Sequence, residues 1–177
     1  MEIQSLRNAL DNLAEDELYN ILKTFKCERD DDIENFLMDF SVDYENKNVC
    51  RTFFVMDEQF PGVVLGYFSI GLNVLHFEEG LDVEDAYDGI NLCEDGYRPI
   101  YKLFMIGKND KCPVHLKMAS VFNDTVLSFC KEAQELIGGD LLYIDCVPEL
   151  KQYYENLEFV YYDELADKGL IRMIRNI

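Results

Sequence analysis

The chain has 177 residues, 49% hydrophobic and 13% aromatic, and its 35 acidic side chains against 16 basic ones give a formal net charge of −19. That length and apolar content are those of a globular chain of about one domain, able to bury a core without disulfides. The charge repels a phosphate backbone, so direct nucleic-acid binding is not expected; a cationic amine or a basic protein surface is the natural partner.

No stretch is long and apolar enough to span a bilayer, and residues 1–7 lack the basic-then-apolar layout of a signal peptide, so a cytoplasmic protein with no membrane contact is expected. The six cysteines (Cys27, Cys50, Cys93, Cys112, Cys130 and Cys146) and two histidines have no metal-ligand spacing. Reduced, mostly buried thiols and no metal site follow.

In chain order, Ile3, Leu6, Leu10 and Leu13 recur at helical spacing and predict a short N-terminal helix within an extension over 1–18. Residues 19–27 alternate as a first strand. One of Asp30, Asp31 and Asp32 is placed to cap a helix carrying Ile33, Phe36, Leu37, Phe40 and Tyr44, with acids in its first turn as the helix dipole favours. Residues 51–56 and 63–70 read as a hairpin around a Pro-Gly turn. Between His76 and Tyr97 there are eight acids and no base, which predicts a solvated helix-loop insert over 76–97. A strand over 101–106 follows.

From Val114 to Ile137 the apolar residues keep helical spacing, and Gly138-Gly139 stops the helix. Strand 141–146, helix 148–156 and strands 158–162 and 169–174 complete the chain. This order predicts an α/β (α+β) fold, a mixed, mostly antiparallel twisted sheet with helices on both faces, in a single domain over 1–177.

Three pieces have a more specific look. The first joins 25–27, 33–37, 51–54 and 66–69; the second is Gly107-Lys108-Asn109 ahead of the long helix; the third is 141–159, a buried strand, a short helix carrying Tyr154 and an aromatic return strand. Taken alone, the third reads equally well as an ordinary strand-helix-strand with tyrosines at an apolar interface. Together, over about residues 19–177, they resemble the GNAT family of acyl-CoA-dependent N-acyltransferases, and within it a bacterial and phage branch that includes toxin-type acetyltransferases.

The resemblance implies acetyl-CoA as co-substrate and a primary amine as acceptor. It implies that the backbone of Phe104, Met105 and Ile106 binds the pantetheine arm, with one N–H polarising the thioester carbonyl. Lys117, Met118, Ala119 and Ser120, at the start of the long helix, would hold the pyrophosphate. Tyr154 would protonate the departing thiolate. The family's closely spaced glycines are missing from 113–120, where Ala119 is the smallest residue and Lys111 and Lys117 offer compensating charge. His115 reads either as a phosphate contact or base or as a surface or capping residue, and no catalytic base stands out. Two other readings stay open: a non-catalytic acidic module that inhibits a basic nucleic-acid-binding partner, and a homodimer formed through the N-terminal helix or outer strands.

Overall fold

A computed structural model describes residues 1–77 and 96–177. Among them seven strands, β1 (Glu2–Ser5), β2 (Arg51–Met56), β3 (Gly66–His76), β4 (Tyr97–Lys108), β5 (Leu141–Cys146), β6 (Val160–Leu165) and β7 (Leu170–Asn176), lie in the order β1-β2-β3-β4-β5-β7-β6. Pairing is antiparallel for β1–β2, β2–β3, β5–β7 and β6–β7 and parallel for β4–β5. This is the mixed, mostly antiparallel sheet of the expected α/β class. Of the expected acidic insert, residues 78–95 lie outside the described residues; His76 closes β3 and Tyr97 opens β4.

Two expectations are corrected at the N-terminus. Residues 2–5 form an edge strand on β2, and helix α1 (Leu6–Asn12) starts only at Leu6, where the Ser5 side chain accepts from the Asn8 N–H at 3.1 Å. Residues 19–27 are not a strand. They finish α2 (Glu15–Leu22) and turn out of it, because Leu18 and Leu22 bury one helical face and Glu15, Asp16 and Glu17 load the first turn. Glu17 reaches back to the Ala14 N–H at 3.1 Å, half of a capping box, since alanine has no acceptor to return.

The chain folds as two compact units, Met1–Gly71 with Leu103–Val126 and Leu72–Lys102 with Leu127–Ile177. In the first, the predicted Asp30 cap accepts from the Asp32 N–H at 3.0 Å and starts α3 (Asp31–Asn35), a π-helical turn (Phe36–Phe40) and α4 (Ser41–Asn46). Leu6, Leu22, Phe25, Leu37, Phe54 and Tyr67 form the centre of its core. Phe25 meets the Tyr67 ring edge-on with centroids 5.0 Å apart. Fully buried Glu45 accepts from the Thr52 N–H at 3.0 Å. Its other oxygen faces Arg51 at 3.1 Å and Arg7 at 3.5 Å without hydrogen-bond geometry, so that pairing is coulombic.

The second unit packs Leu75, Phe77, Ile100, Leu141, Tyr143 and Ile174 together. Asp145 takes Arg172 Nε at 2.7 Å and Lys102 at 3.3 Å. Gly139, at φ +89°, lies where a Cβ would sit 3.0 Å from the Tyr101 ring, so both backbone angle and space demand glycine after the helix. That helix starts at Met118, four residues later than its periodicity suggests, as α5 (Met118–Val121), a π-helical turn (Phe122–Val126) and α6 (Leu127–Ile137). No described helix is long and apolar enough to cross a membrane.

Candidate functional site

Tyr154 belongs to the second unit. Every residue of β5 but Asp145 is buried, and β5 ends at Cys146. Pro148 then opens a 3-10 turn (Pro148–Leu150), its fixed φ suiting a first helical position, and α7 (Lys151–Glu155) carries Tyr154 inward. Its carbonyl accepts from the Leu157 and Phe159 N–H groups at 2.9 and 3.0 Å, and Glu158 between them turns the chain at φ +63°. Arg175 holds that turn, donating to the Leu157 carbonyl and to the Glu158 carboxylate at 2.7 Å. The Tyr154 ring meets Tyr153 and Phe159 edge-on at 5.1 and 5.5 Å.

Tyr154 is 4% exposed. Burial raises its pKa well above the ordinary phenol value, with smaller contributions from Cys146 and Tyr153, so the hydroxyl keeps its proton. Four tyrosines are buried among the described residues. Tyr67 donates to the Ile33 carbonyl at 2.5 Å, Tyr101 to the Gly138 carbonyl at 2.6 Å, and Tyr143 accepts from Asn73 at 2.7 Å. Of the four hydroxyls, that of Tyr154 alone makes no hydrogen bond to a described residue. It is the one buried phenol in the described part of the chain whose polar end is uncommitted.

The residues expected at the cofactor belong to the first unit. Phe104, Met105 and Ile106 lie on β4, with Phe104 edge-on to Tyr44 at 6.3 Å and Met105 against the core. The parallel β4–β5 ladder consists of two pairs, Tyr101–Leu142 and Lys102–Tyr143. Gly107 has no room for a side chain, since a Cβ would sit 2.5 Å from Ile33. Just beyond it the Asn109 amide is fully buried and fully used: it donates to the Thr24 and Val64 carbonyls at 2.7 Å each and accepts from the Lys26 and Lys111 N–H groups at 3.3 and 2.9 Å. It fixes the end of β4 and the start of the loop that leads to α5. The motif Gly107-Lys108-Asn109 stands out in the sequence, but this role does not, because a polar residue between a strand and a loop carries no burial signal.

That loop ends at Lys117, an extended residue whose side chain makes no capping bond to α5. Lys117 and Ser120 line a cavity of about 310 Å³ together with His115, Ile3 and Val55, while Met118 turns its sulfur toward Gly66. The structure thus brings Lys117 and Ser120 together at one cavity and leaves Phe104, Met105, Ile106, Met118 and Ala119 out of its lining. The Lys117 carbonyl accepts from the Ser120 and Val121 N–H groups at 3.0 and 3.3 Å, and none of α5's first-turn residues is acidic. The Cys112 thiol donates to the Val114 carbonyl at 3.2 Å. No cluster of metal-ligating residues occurs among the described residues.

No family model and no curated protein matches the chain. Solved structures do. A bacterial toxin is similar at 19% identity and TM-score 0.73 over 99% of this chain and 91% of the toxin. A mutant of the AtaT toxin, bound to the C-terminus of the antitoxin AtaR and to acetyl-CoA, is similar at 14% identity and TM-score 0.64, over 99% and 92%. AtaT in complex with acetyl-methionyl-tRNAfMet is similar at 13% identity and TM-score 0.66, over 99% and 94%. At these identities the likeness is one of fold alone, the GNAT-like fold that the sequence resembles.

Proposed function

We propose that this chain, with the GNAT fold as its premise, is an acetyl-CoA-dependent N-acetyltransferase that acts on a primary amine. The observation that carries the reading is Tyr154, a buried, protonated phenol on the short helix after β5 whose hydroxyl bonds to no described residue. Acetyl-CoA supplies an acyl group on a thioester, whose sulfur leaves as a thiolate when an amine attacks the carbonyl. Tyr154, kept neutral by burial, then gives its proton to that sulfur, and the proton the amine nitrogen loses on becoming an amide restores the phenol, so that amine and thioester give amide and free thiol. The role of Phe104, Met105 and Ile106 is to bind the pantetheine through backbone groups and to offer one N–H to the carbonyl oxygen; the ladder limited to two β4–β5 pairs supports this.

The start of α5 fits an anionic pyrophosphate. Its N-cap is Lys117, its first turn carries no acid, and Ala119 and Ser120 are small enough for a close approach. Asp124 lines the same cavity, and its carboxylate opposes an anion on that side of it. The net charge of −19 favours a cationic acceptor, a small amine or a lysine of a basic protein. One neighbour's complex with an acetylated aminoacyl-tRNA supports a second acceptor class, the α-amine of an aminoacyl-tRNA.

The first test is the melting temperature with and without acetyl-CoA: at ~100 times the dissociation constant it should stabilise the chain by about 2.7 kcal/mol. No shift at millimolar concentration removes the enzyme reading and favours a non-catalytic acidic module. Thiol release from acetyl-CoA with diamines, a lysine-rich peptide or aminoacyl-tRNA as acceptor then decides the substrate class.

A further inference from the structure

A groove of about 960 Å³ opens in the first unit between α1, α2 and the segment from the π-helical turn into α4. Leu10, Leu13, Leu22 and Val42 give it an apolar lining, and Glu15 and Asp16 bring two carboxylates to it. No Lys or Arg occurs among its described lining residues. Leu13 and Tyr19, both lining it, are 37% and 48% exposed, so apolar surface there faces solvent.

The charge around it is one-sided. Residues 1–46 hold 13 acids and four bases. Each base is engaged within the unit: Arg7 with Glu45, Lys26 with Glu34, Arg29 with Asp110, and Lys23 over the Tyr19 ring at 4.1 Å. Glu15 and Asp16 have no ion-pair partner among the described residues. Opposite the groove, an occupant gains most if it carries apolar side chains on one face and cations beside them.

We infer that this groove docks an amphipathic, lysine- or arginine-bearing helical segment of a partner protein. The leucines of such a segment, at i, i+3, i+4 and i+7, enter the apolar lining, and its cations meet Glu15 and Asp16. The charge term sets selection and association rate, and the apolar contacts supply the affinity. This inference does not depend on acetyl transfer, because it concerns a surface of α1, α2 and α4 and no residue assigned to catalysis.

The test is fluorescence anisotropy of the full chain, without acetyl-CoA, against a labelled helical peptide with leucines at those positions and lysines on the flanking face. Binding is expected. It should weaken about tenfold, the equivalent of 1.4 kcal/mol, in the Glu15→Lys/Asp16→Lys variant. A version of the peptide with glutamates in place of lysines, and one with its residues scrambled, should not bind. Leu13→Asn tests the apolar lining without touching the dipole of α2 and should also weaken binding; a thermal melt shows that each variant is folded. Failure of the lysine peptide to bind, equal binding of the glutamate or scrambled peptide, or unchanged binding in either folded variant overturns the proposal.

Discussion

Around Asn109 and around Tyr154 the chain buries polar side chains to a similar depth and uses them in opposite ways. The Asn109 amide makes four hydrogen bonds, and Tyr67, in the same unit, spends its hydroxyl on the Ile33 carbonyl. In the other unit the Tyr154 hydroxyl is tied to no described residue. A buried polar group that is fully paired contributes to stability, whereas the Tyr154 hydroxyl contributes no such bond and, unlike Glu45 Oε1, is not a fully buried unpaired atom. The contrast separates residues that hold the fold from the one proposed for the chemistry.

Substitutions sharpen that contrast. The largest expected effect is on rate: Tyr154→Phe should lower thiol release from acetyl-CoA by roughly 10²-fold or more, the usual range for loss of a general acid. Its urea midpoint should stay close to the wild type, because no bond to a described residue is lost. Unchanged turnover would remove Tyr154 from the mechanism. Asn109→Ala should act the other way. It leaves the Thr24 and Val64 carbonyls and two N–H groups unpaired, for a loss of ~2–4 kcal/mol in chemical denaturation. Tyr67→Phe removes one bond and should cost ~1–2 kcal/mol, with turnover per folded molecule unaltered.

The smallest effect is on pH dependence. Burial pushes the Cys50 and Cys146 thiols up to about 11 and Cys130 up to about 12. Their unfolded forms ionise first as pH rises past 9, so stability is full below that value and falls with pH up to about 11–12. Urea titrations at pH 7 and 10 measure the fall, and Cys130→Ala should make it shallower.

From residue 51 onward the strands are legible as β-branched and aromatic runs set off by turn residues such as Pro61-Gly62 and Gly169, and Gly138-Gly139 stops the long helix. The first 27 residues are not. Tyr19 and Ile21 alternate like a strand, while the face that folding buries is Leu18–Leu22, and four residues of β1 are strand only because β2 is there to pair them. Tyr154 was legible as a candidate through its segment, but its uncommitted hydroxyl is a property of three-dimensional neighbours. The late start of α5 and the two π-helical turns left no local mark, since each inserts its shift inside an otherwise regular apolar period.

The Asn109 junction also bears on the order in which the first unit assembles. Its bonds to Thr24, Lys26 and Val64 close separations of 85, 83 and 45 positions, and the full set forms only once the segments around 24–26, 64 and 109 have met. Loop closure of that length precedes the reward, so these bonds belong on the native side of the folding barrier. Removing the amide should therefore steepen escape from the native state and leave the refolding arm of a chevron nearly where it was. One asparagine serves as the clasp that sets how long the folded first unit lasts.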